Sequence, residues 1–382
     1  MQLEFTEEQE ELRDSVRAML ARECPMSLVR EIVEKRIVGG DASAERLWSQ
    51  MVELGWPALT VPTACGGLGL GAVEVAVVGE ELGRVMTPGP FLPTVTQFVP
   101  AVLEAGSPEQ HTRFLGAVAA GEITGTLAVA EATGSFDVAD VTAVATPHRD
   151  GYTLAGTKRF VFEPVGDAVE IVVAARLAGT GGPDGVGAFV VPGTDVGVTP
   201  MKSLDPSRVL ATVRLDGVWV DASRVLGRPG PDTAAALRRA VEEATAALAI
   251  EVVGTCQTIF DVALEYAKQR EQFGVAIGSF QAIKHKFADM LVALERARAT
   301  GYFAALTIAE DDDRRTSATS MAKAAAGDAQ RLIAKEGIQI LGGIGYTWEH
   351  DMHLYVRHVK GGAALLGTAT THRARVAELL GL

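Results

Sequence analysis

Two clusters in this sequence have residue types and spacings that could serve chemistry. Gly342, Gly343 and Gly345 crowd the stretch "QILGGIGYTWEHD", residues 339–351. Glycines set this closely let backbone amides approach an anion such as a phosphate. A dinucleotide fingerprint would need a strand before them and a helix after them. The preceding "SATSMAKAAAGDAQRLIAKEGIQIL" is rich in Ala, Lys, Gln and Leu and reads as a long helix. A Rossmann turn is therefore excluded, and the glycines form either an anion-approach loop or a helix–helix corner. His350 and His353 stand three apart and share a helix face, but with no third ligand in view they read as surface or capping residues rather than a metal site. Trp348 reads as core or interface.

The elements that must carry these residues fall into three blocks. Thr6 and Gln9 form a capping-box pattern, and Leu12, Val16, Met19 and Leu20 follow at helical spacing. "AERLWSQMVELG", "GAVEVAVVGEELGRVM" and "SPEQHTRFLGAVAAG" are further helices, and "VPTACGGLGLG" is a loop between two of them. Residues 1–121 thus read as a helical domain. From 122 to 228 the segments are short, β-branched and bounded by Gly, Pro and Asp, such as "GYTLAGTKRFVF", "AVEIVVAAR" and "TVRLDGVWV". They predict an antiparallel β domain. "GRPGPDTAA" marks a boundary where Pro229 and Pro231 interrupt the chain and Thr233 can cap. Residues 229–382 then give a helix of nearly 40 residues, two more long helices and two shorter ones, which together predict a bundle.

The chain has 382 residues, 48% hydrophobic and 22% charged, and a net charge of −13. Such a length implies several subdomains around a large core. The acidic balance argues against nucleic acid as a partner, although a local basic pocket would suffice for a phosphorylated small ligand. Cys24, Cys65 and Cys256 are scattered with no CxxC, which argues against a disulfide framework or zinc site, fits a reducing cytoplasm and reads as small buried hydrophobes. The acidic N-terminus has no signal-peptide core, and no run of 18 apolar residues predicts a membrane span.

That order of blocks, with the residues at its joints, resembles the acyl-CoA dehydrogenase family over essentially the whole chain. Four stretches carry the resemblance: "VPTACGGLGLG", "GYTLAGTKRFV" (151–161), "REQFGVAIGSFQAIKHKFADM" (270–290) and "QILGGIGYTWEHD". In the third, Arg270, Gln272-Phe273-Gly274 and Phe280-Gln281 follow the family's spacing residue for residue. The implied fold is mostly α: an N-terminal helical domain, an antiparallel β-barrel domain and a C-terminal four-helix bundle. The implied cofactor is FAD, lying between subunits. Arg270, Gln272, Phe273, Gln281, Gln339, Gly342 and Gly343 would meet its ADP part, with Arg270 pairing the pyrophosphate and Phe273 packing on adenine or ribose. Without the family, Arg270 beside Glu271 reads equally well as a surface salt bridge. Phe160 and Thr368 would lie near the flavin.

The family's reaction removes the α-proton of an acyl-CoA thioester with a carboxylate while a hydride leaves Cβ for the flavin. The base must be positioned and tuned toward neutrality by burial. In most members it is a Glu directly before Gly-Thr, nine residues after an Arg. Here Gly367-Thr368 keeps that register after Arg357, and the base position is Leu366. In a minority the Glu lies on the long helix, 13 residues before a Gln. Counting back from Gln257 gives Ala244. Glu243 is one residue off that position, about 100° round the helix. Glu251 shares the face of Ala244 but lies about 10.5 Å further along, within the apolar run "ALAIEVVG".

The flavin side is altered too. The family's Thr-Glu-Pro reads Ala130-Glu131-Ala132, Phe136 takes the place of a serine, and Phe162 replaces a threonine that hydrogen-bonds near flavin N5. The ADP-side residues are all kept. This lopsidedness resembles one subunit of the bacterial α2β2 acyl-CoA dehydrogenases, associated with bulky and steroid-derived acyl-CoAs, in which a homologous subunit supplies the base. The alternatives are a homotetramer with a displaced base, Glu243 before Glu251, or an assembly subunit without catalysis. An electron-transfer flavoprotein is the implied electron acceptor.

Overall fold

The computed structural model describes residues 5–40 and 42–382. The first block is helical: α1 (Glu7–Glu23), α2 (Met26–Ile37), α3 (Glu45–Glu53) and α4 (Ala72–Arg84), followed by helical stretches at 91–105 and 108–119 that include π-turns. The capping box at the start of α1 forms, with the Gln9 amide donating to Thr6 Oγ1 at 3.2 Å and the Thr6 amide donating to Gln9 Oε1 at 3.1 Å. The stretch 91–105 escapes sequence reading because Pro93 and Pro100 interrupt its periodicity.

The second block holds eight strands: β1 (Thr124–Ala128), β2 (Val144–Pro147), β3 (Gly151–Phe162), β4 (Val169–Leu177), β5 (Val186–Pro192), β6 (Gly197–Pro200), β7 (Leu210–Asp221) and β8 (Val225–Leu226). Their order is β6-β7-β3-β2-β4-β5-β8, with β1 also on β4. Most pairings are antiparallel, as expected. Two are not, because β1 and β2 both run parallel to β4. They pair with successive parts of the same edge, Thr124–Ala128 against Val169–Val173 and Val144–Ala145 against Arg176–Leu177. The chain between them, residues 129–143, is thereby expelled from the sheet as a loop. That loop forms one wall of the groove described below.

The third block is the bundle: α5 (Pro231–Gln269), α6 (Gln281–Ala309), α7 (Arg315–Leu341), α8 (Met352–Gly362) and α9 (Ala369–Leu379). Pro231 sits in the first turn of α5, where its missing N–H costs nothing. Thr233 donates to the Arg228 carbonyl at 2.6 Å instead of capping the helix. By length and composition α5 is apolar enough to cross a membrane, yet most of it is buried, against α4, α6, α7 and α8. It is the core helix of the bundle. Small side chains let the helices approach closely: Ala318, Ala322, Ala326 and Ala329 of α7 are all buried. Short connections make α5, α6 and α7 antiparallel neighbours. The end of α5, the start of α6 and the end of α7 therefore share one end of the bundle, where Lys286 of α6 pairs with Glu336 of α7.

Cys24 and Cys256 are buried and Cys65 is half-buried, all as free thiols. His350 caps locally, its Nδ1 accepting from the Met352 amide at 3.0 Å. His353 is buried, in edge contact with Trp348 at 4.6 Å between ring centroids. Trp348 is itself exposed and is not core. Among the described residues no group of His, Cys, Asp or Glu could hold a metal ion.

Candidate functional site

A groove of about 770 Å³ opens between the 129–143 loop, α5, α7 and the α8–α9 corner. Its loop wall is fixed from behind. Lys158 of β3 is fully buried and donates to Glu131 Oε1 at 2.6 Å and to the Val129 carbonyl at 3.1 Å. Glu131 also accepts the Thr142 and Ala143 amides. Burial pushes the Lys158 amine down to about 8, against the pull of Glu131. The same burial opposes ionisation of Glu131, but Lys158 and the amides hold its carboxyl below the usual range. Just after Lys158, β3 bulges, and Phe160 takes a positive φ of 56°. That turns its ring toward the groove, with the Arg159 guanidinium 5.5 Å from the ring centroid.

The two positions where family members carry their base meet here. Ala244 and Leu366 belong to one buried apolar cluster with Phe162, Leu210, Leu248 and Leu365, and Phe136 and Phe160 pack onto it. Every residue of that cluster is apolar. Leu366 is 6% exposed, and its φ of +56° is unusual for a leucine. His372 secures this turn, its Nε2 lying 2.8 Å from the Leu366 carbonyl and its Nδ1 3.3 Å from Ser320 Oγ. Thr368 caps α9 by accepting the Thr371 amide at 3.1 Å.

Neither alternative carboxylate reaches the groove. Glu243 is half-buried and faces a separate void of about 30 Å³, lined mostly by alanine, valine and isoleucine. Burial raises its pKa to about 7 despite Arg315 at 3.4 Å. That value would suit a general base, but such a void admits only a water or two. Glu251 lines another void, of about 20 Å³. Its carboxylate is bound by Arg208, and His358 Nε2 lies 2.8 Å away. Burial works against the anion, but Arg208 and His358 together lower it to about 2, which makes it a poor proton acceptor.

This ion network was not foreseen from sequence. Asp205 Oδ2 lies 3.0 Å from His358 Nδ1, and Arg36 of α2 donates to the Pro206 and Ser207 carbonyls at 3.1 and 2.8 Å. The network thus ties all three blocks to the β6–β7 loop. Gly361 and Gly362 make it sterically feasible. A Cβ on Gly361 would fall 2.5 Å from Asp205 Cβ, and one on Gly362 2.7 Å from Arg208 Nη1. Also unforeseen, Glu242 does line the groove, but Arg315 Nε at 3.0 Å and Thr316 Oγ1 at 2.7 Å occupy its carboxylate.

The residues assigned to the ADP part lie elsewhere. Arg270, Gln272, Phe273, Gln281, Gln339, Gly342 and Gly343 are all exposed, at the shared end of the bundle. Glu271–Gln272 and Val275–Ala276 form a hairpin whose two-residue turn is Phe273-Gly274, with φ of 55° and 80°. Two positive φ values are what a type I′ turn requires. The turn leaves Phe273 93% exposed, its ring centroid 6.2 Å from that of Phe280. A Cβ built on Gly342 or Gly343 would meet nothing within 4 Å, so their backbone is open to an incoming group. Along α7, Gln339 is 20 residues from the groove residue Thr319, about 30 Å. One chain therefore carries two separate surfaces, and it does not bring the two sets together.

Models of the N-terminal and C-terminal domains of acyl-CoA dehydrogenases match residues 6–122 and 234–381. The chain is 33% identical over 363 residues to the acyl-CoA dehydrogenase IpdE2 of Mycobacterium tuberculosis, covering 94% of this chain and 93% of that protein. Among solved structures it superposes on the ChsE4-ChsE5 complex from Mycobacterium tuberculosis with a TM-score of 0.88 at 26% identity, covering 100% and 99% of the two chains. It superposes on the Tcur3481-Tcur3483 steroid ACAD G363A variant with a TM-score of 0.86 at 29% identity, covering 98% of each.

Proposed function

The chain belongs to the acyl-CoA dehydrogenase family, and on that premise we propose that it is one subunit of a heteromeric, FAD-dependent dehydrogenase acting on a bulky, steroid-derived acyl-CoA. The observation that carries this reading is the meeting of Ala244 and Leu366 in one apolar cluster with Phe162. Proton abstraction from a thioester needs a carboxylate within hydrogen-bond reach, about 2.6–3.2 Å in a productive pose. No side chain at either family position can accept a proton. A homologous subunit bearing the glutamate supplies it.

The residues at the bundle end fit the ADP part of FAD in charge and shape. Arg270 would pair the pyrophosphate, Gln272, Gln281 and Gln339 would hydrogen-bond, Phe273 would cover a flat ring, and the Gly342-Gly343 backbone would admit an oxygen at close range. When bound, FAD supplies the hydride acceptor. This chain then holds the far end of a cofactor whose ring lies against the partner, and it excludes water there with Phe273 and Phe280. Two of the structural neighbours are named as pairs, ChsE4-ChsE5 and Tcur3481-Tcur3483, and the second name refers to steroids. Both support a partner subunit, and the second supports the substrate class. Electrons would leave to an electron-transfer flavoprotein.

A second reading rests on the pKa of Glu243, near 7: a homotetramer whose base is Glu243 after a rearrangement of α5. One experiment separates the two. The chain is purified alone and beside a glutamate-bearing homologue, and flavin bleaching by polycyclic acyl-CoAs is followed anaerobically. Flavin and bleaching only in the mixed complex support the partner reading. Fast bleaching by the lone chain, lost in Glu243→Gln, replaces it with the second.

A further inference from the structure

The glycine backbone at the bundle end stands on a segment with few ties of its own. Between α7 and α8 the chain makes a short 3-10 turn, Gly342–Tyr346, and then runs from Thr347 to Asp351. Gly342 leaves α7 at a φ of 68°. From 342 to 351 only Gly345 is buried, so the segment has almost no core to rest on. Its own hydrogen bonds are local. The Thr347 amide and hydroxyl donate to the Ile344 carbonyl at 3.1 and 3.0 Å, and the His350 amide donates to the Thr347 carbonyl at 3.4 Å. An open turn of this kind samples many conformations unless a contact from elsewhere selects one.

Arg30 of α2 makes that contact. Its Nη1 donates to the Trp348 carbonyl at 2.8 Å, its Nε donates to Asp351 Oδ1 at 3.2 Å, and its Nη2 donates to the same oxygen. Among the described residues no other hydrogen bond reaches 342–351 from outside the bundle. A guanidinium is planar and forked, so one side chain holds a carbonyl and a carboxylate in a fixed relation. Trp348 is also gripped from α8, its ring 4.6 Å from that of His353 and 5.5 Å from the Arg357 guanidinium. The anchor itself is rigid. Val29, Ile32 and Val33 of α2 are buried, and Arg36 pins its far end to the Pro206 and Ser207 carbonyls. A clamp that served only the fold would join α2 to the buried face of α8. This one joins it to the exposed segment that carries Gly342 and Gly343.

We infer that Arg30 is a positioning residue for the cofactor: it fixes the 342–351 segment so that the Gly342-Gly343 backbone is set in advance for the ADP part of FAD. It acts through the segment and not on FAD itself, and the inference rests on the bundle end being the ADP site. A loop ordered beforehand has less entropy to lose when its ligand arrives. Two measurements test this. In the full chain alone, Arg30→Ala should raise hydrogen exchange at residues 343–351 and leave the buried part of α5 protected. In the mixed complex it should speed FAD release roughly tenfold, while the bleaching rate at saturating FAD stays within about twofold. Arg30→Lys keeps the cation but not the fork, and should release FAD at an intermediate rate; it carries the test if the alanine variant fails to fold. Arg270→Ala is the reference. If Arg270→Ala speeds release and neither Arg30 variant does, Arg30 serves the fold alone, and the inference falls while the ADP reading stands. If none of the three speeds release, the bundle end does not hold the ADP part and both fall. Unchanged exchange at 343–351, or a bleaching rate at saturating FAD that drops as far as FAD retention does, also overturns the inference.

Discussion

The two ends of this molecule obey opposite rules. At the bundle end, Phe273 stands almost fully in water on a left-handed backbone, a conformation that costs a non-glycine residue roughly 1–2 kcal/mol. Arg270 and Gln339 are exposed beside it, and the glycine backbone at Gly342 and Gly343 is bare. Among the described residues only the Phe280 ring lies against Phe273. At the inner end of the groove the side chains are enclosed instead: Ala244, Leu248, Phe162 and Leu366 pack together, although Leu366 too has a left-handed backbone, with φ of 56°. Local rules are broken where something outside the chain must complete them. At the bundle end Phe273 and the glycine backbone stay open to solvent, whereas the strained Leu366 is enclosed by the chain's own apolar side chains.

The largest effect expected from this contrast concerns turnover. In a mixed complex, Glu243→Gln and Glu251→Gln should leave the rate of flavin reduction within about twofold, whereas removing the glutamate of the partner should lower it by roughly 10²–10⁴, the usual contribution of general acid–base catalysis. Stopped-flow bleaching reads both. A large loss on Glu243→Gln would place the base on α5 of this chain instead.

The next effect bears on the loop wall of the groove. Lys158→Met removes a fully buried cation and leaves Glu131 charged without its partner. Breaking a buried pair on one side costs about 3–5 kcal/mol. Urea unfolding should show that loss, and hydrogen exchange should rise across residues 129–143 while the bundle end stays protected. Equal exposure of both ends would show that they are not independent.

How much of this was legible in the sequence differs between the ends for the same reason. The bundle end is written locally: Arg270 to Gln281 is one continuous stretch, and Gln339 to Gly343 another, so the family resemblance could collect them motif by motif. The long helices were also legible, since α5 carries almost no breaker over 39 residues. The inner end of the groove is assembled from Phe136, Phe162, Ala244 and Leu366, which only the tertiary fold brings together. Sequence could register that Ala244 and Leu366 stand where the resemblance expects a carboxylate, but not that the two residues share one apolar cluster. The parallel pairing of β1 and β2 with β4 escaped for a related reason, because strand direction depends on a 15-residue excursion and not on the strands. Nor could "VKGG" reveal that its glycines exist to admit Asp205 and Arg208.

A smaller effect is a pH dependence. The folded pKa of Glu243, near 7, lies above the usual 4.5, so the folded state holds its proton more tightly than the unfolded state. Between pH 4.5 and 7 the unfolded chain sheds that proton first, and stability falls as pH rises through the window. The shift corresponds to about 3 kcal/mol. Glu243→Gln should flatten this slope and stabilise the protein at pH 8, as read by urea midpoints across pH. His358 is raised too and contributes in the same direction, its stabilisation lost as pH climbs through its folded value. The comparison of variant with wild type isolates Glu243. A slope unchanged in the variant would place the glutamate in contact with solvent.

The smallest effect separates the ends most cleanly, because it changes binding without changing stability. Arg270 is exposed and its side chain has no partner among the described residues, so Arg270→Ala should leave the melting temperature within a degree or so. In the mixed complex it removes one charge-assisted contact to a pyrophosphate, worth about 1.5–3 kcal/mol, or a 10- to 100-fold weaker hold on FAD. Flavin released on dilution or gel filtration measures it. The Lys158 variant should do the converse, losing stability first and flavin only as the loop opens. If Arg270→Ala instead lowers stability and retains FAD, its guanidinium serves the fold through a contact such as Glu271. The bundle end would then be an ordinary surface, and its exposed Phe273 would need another explanation.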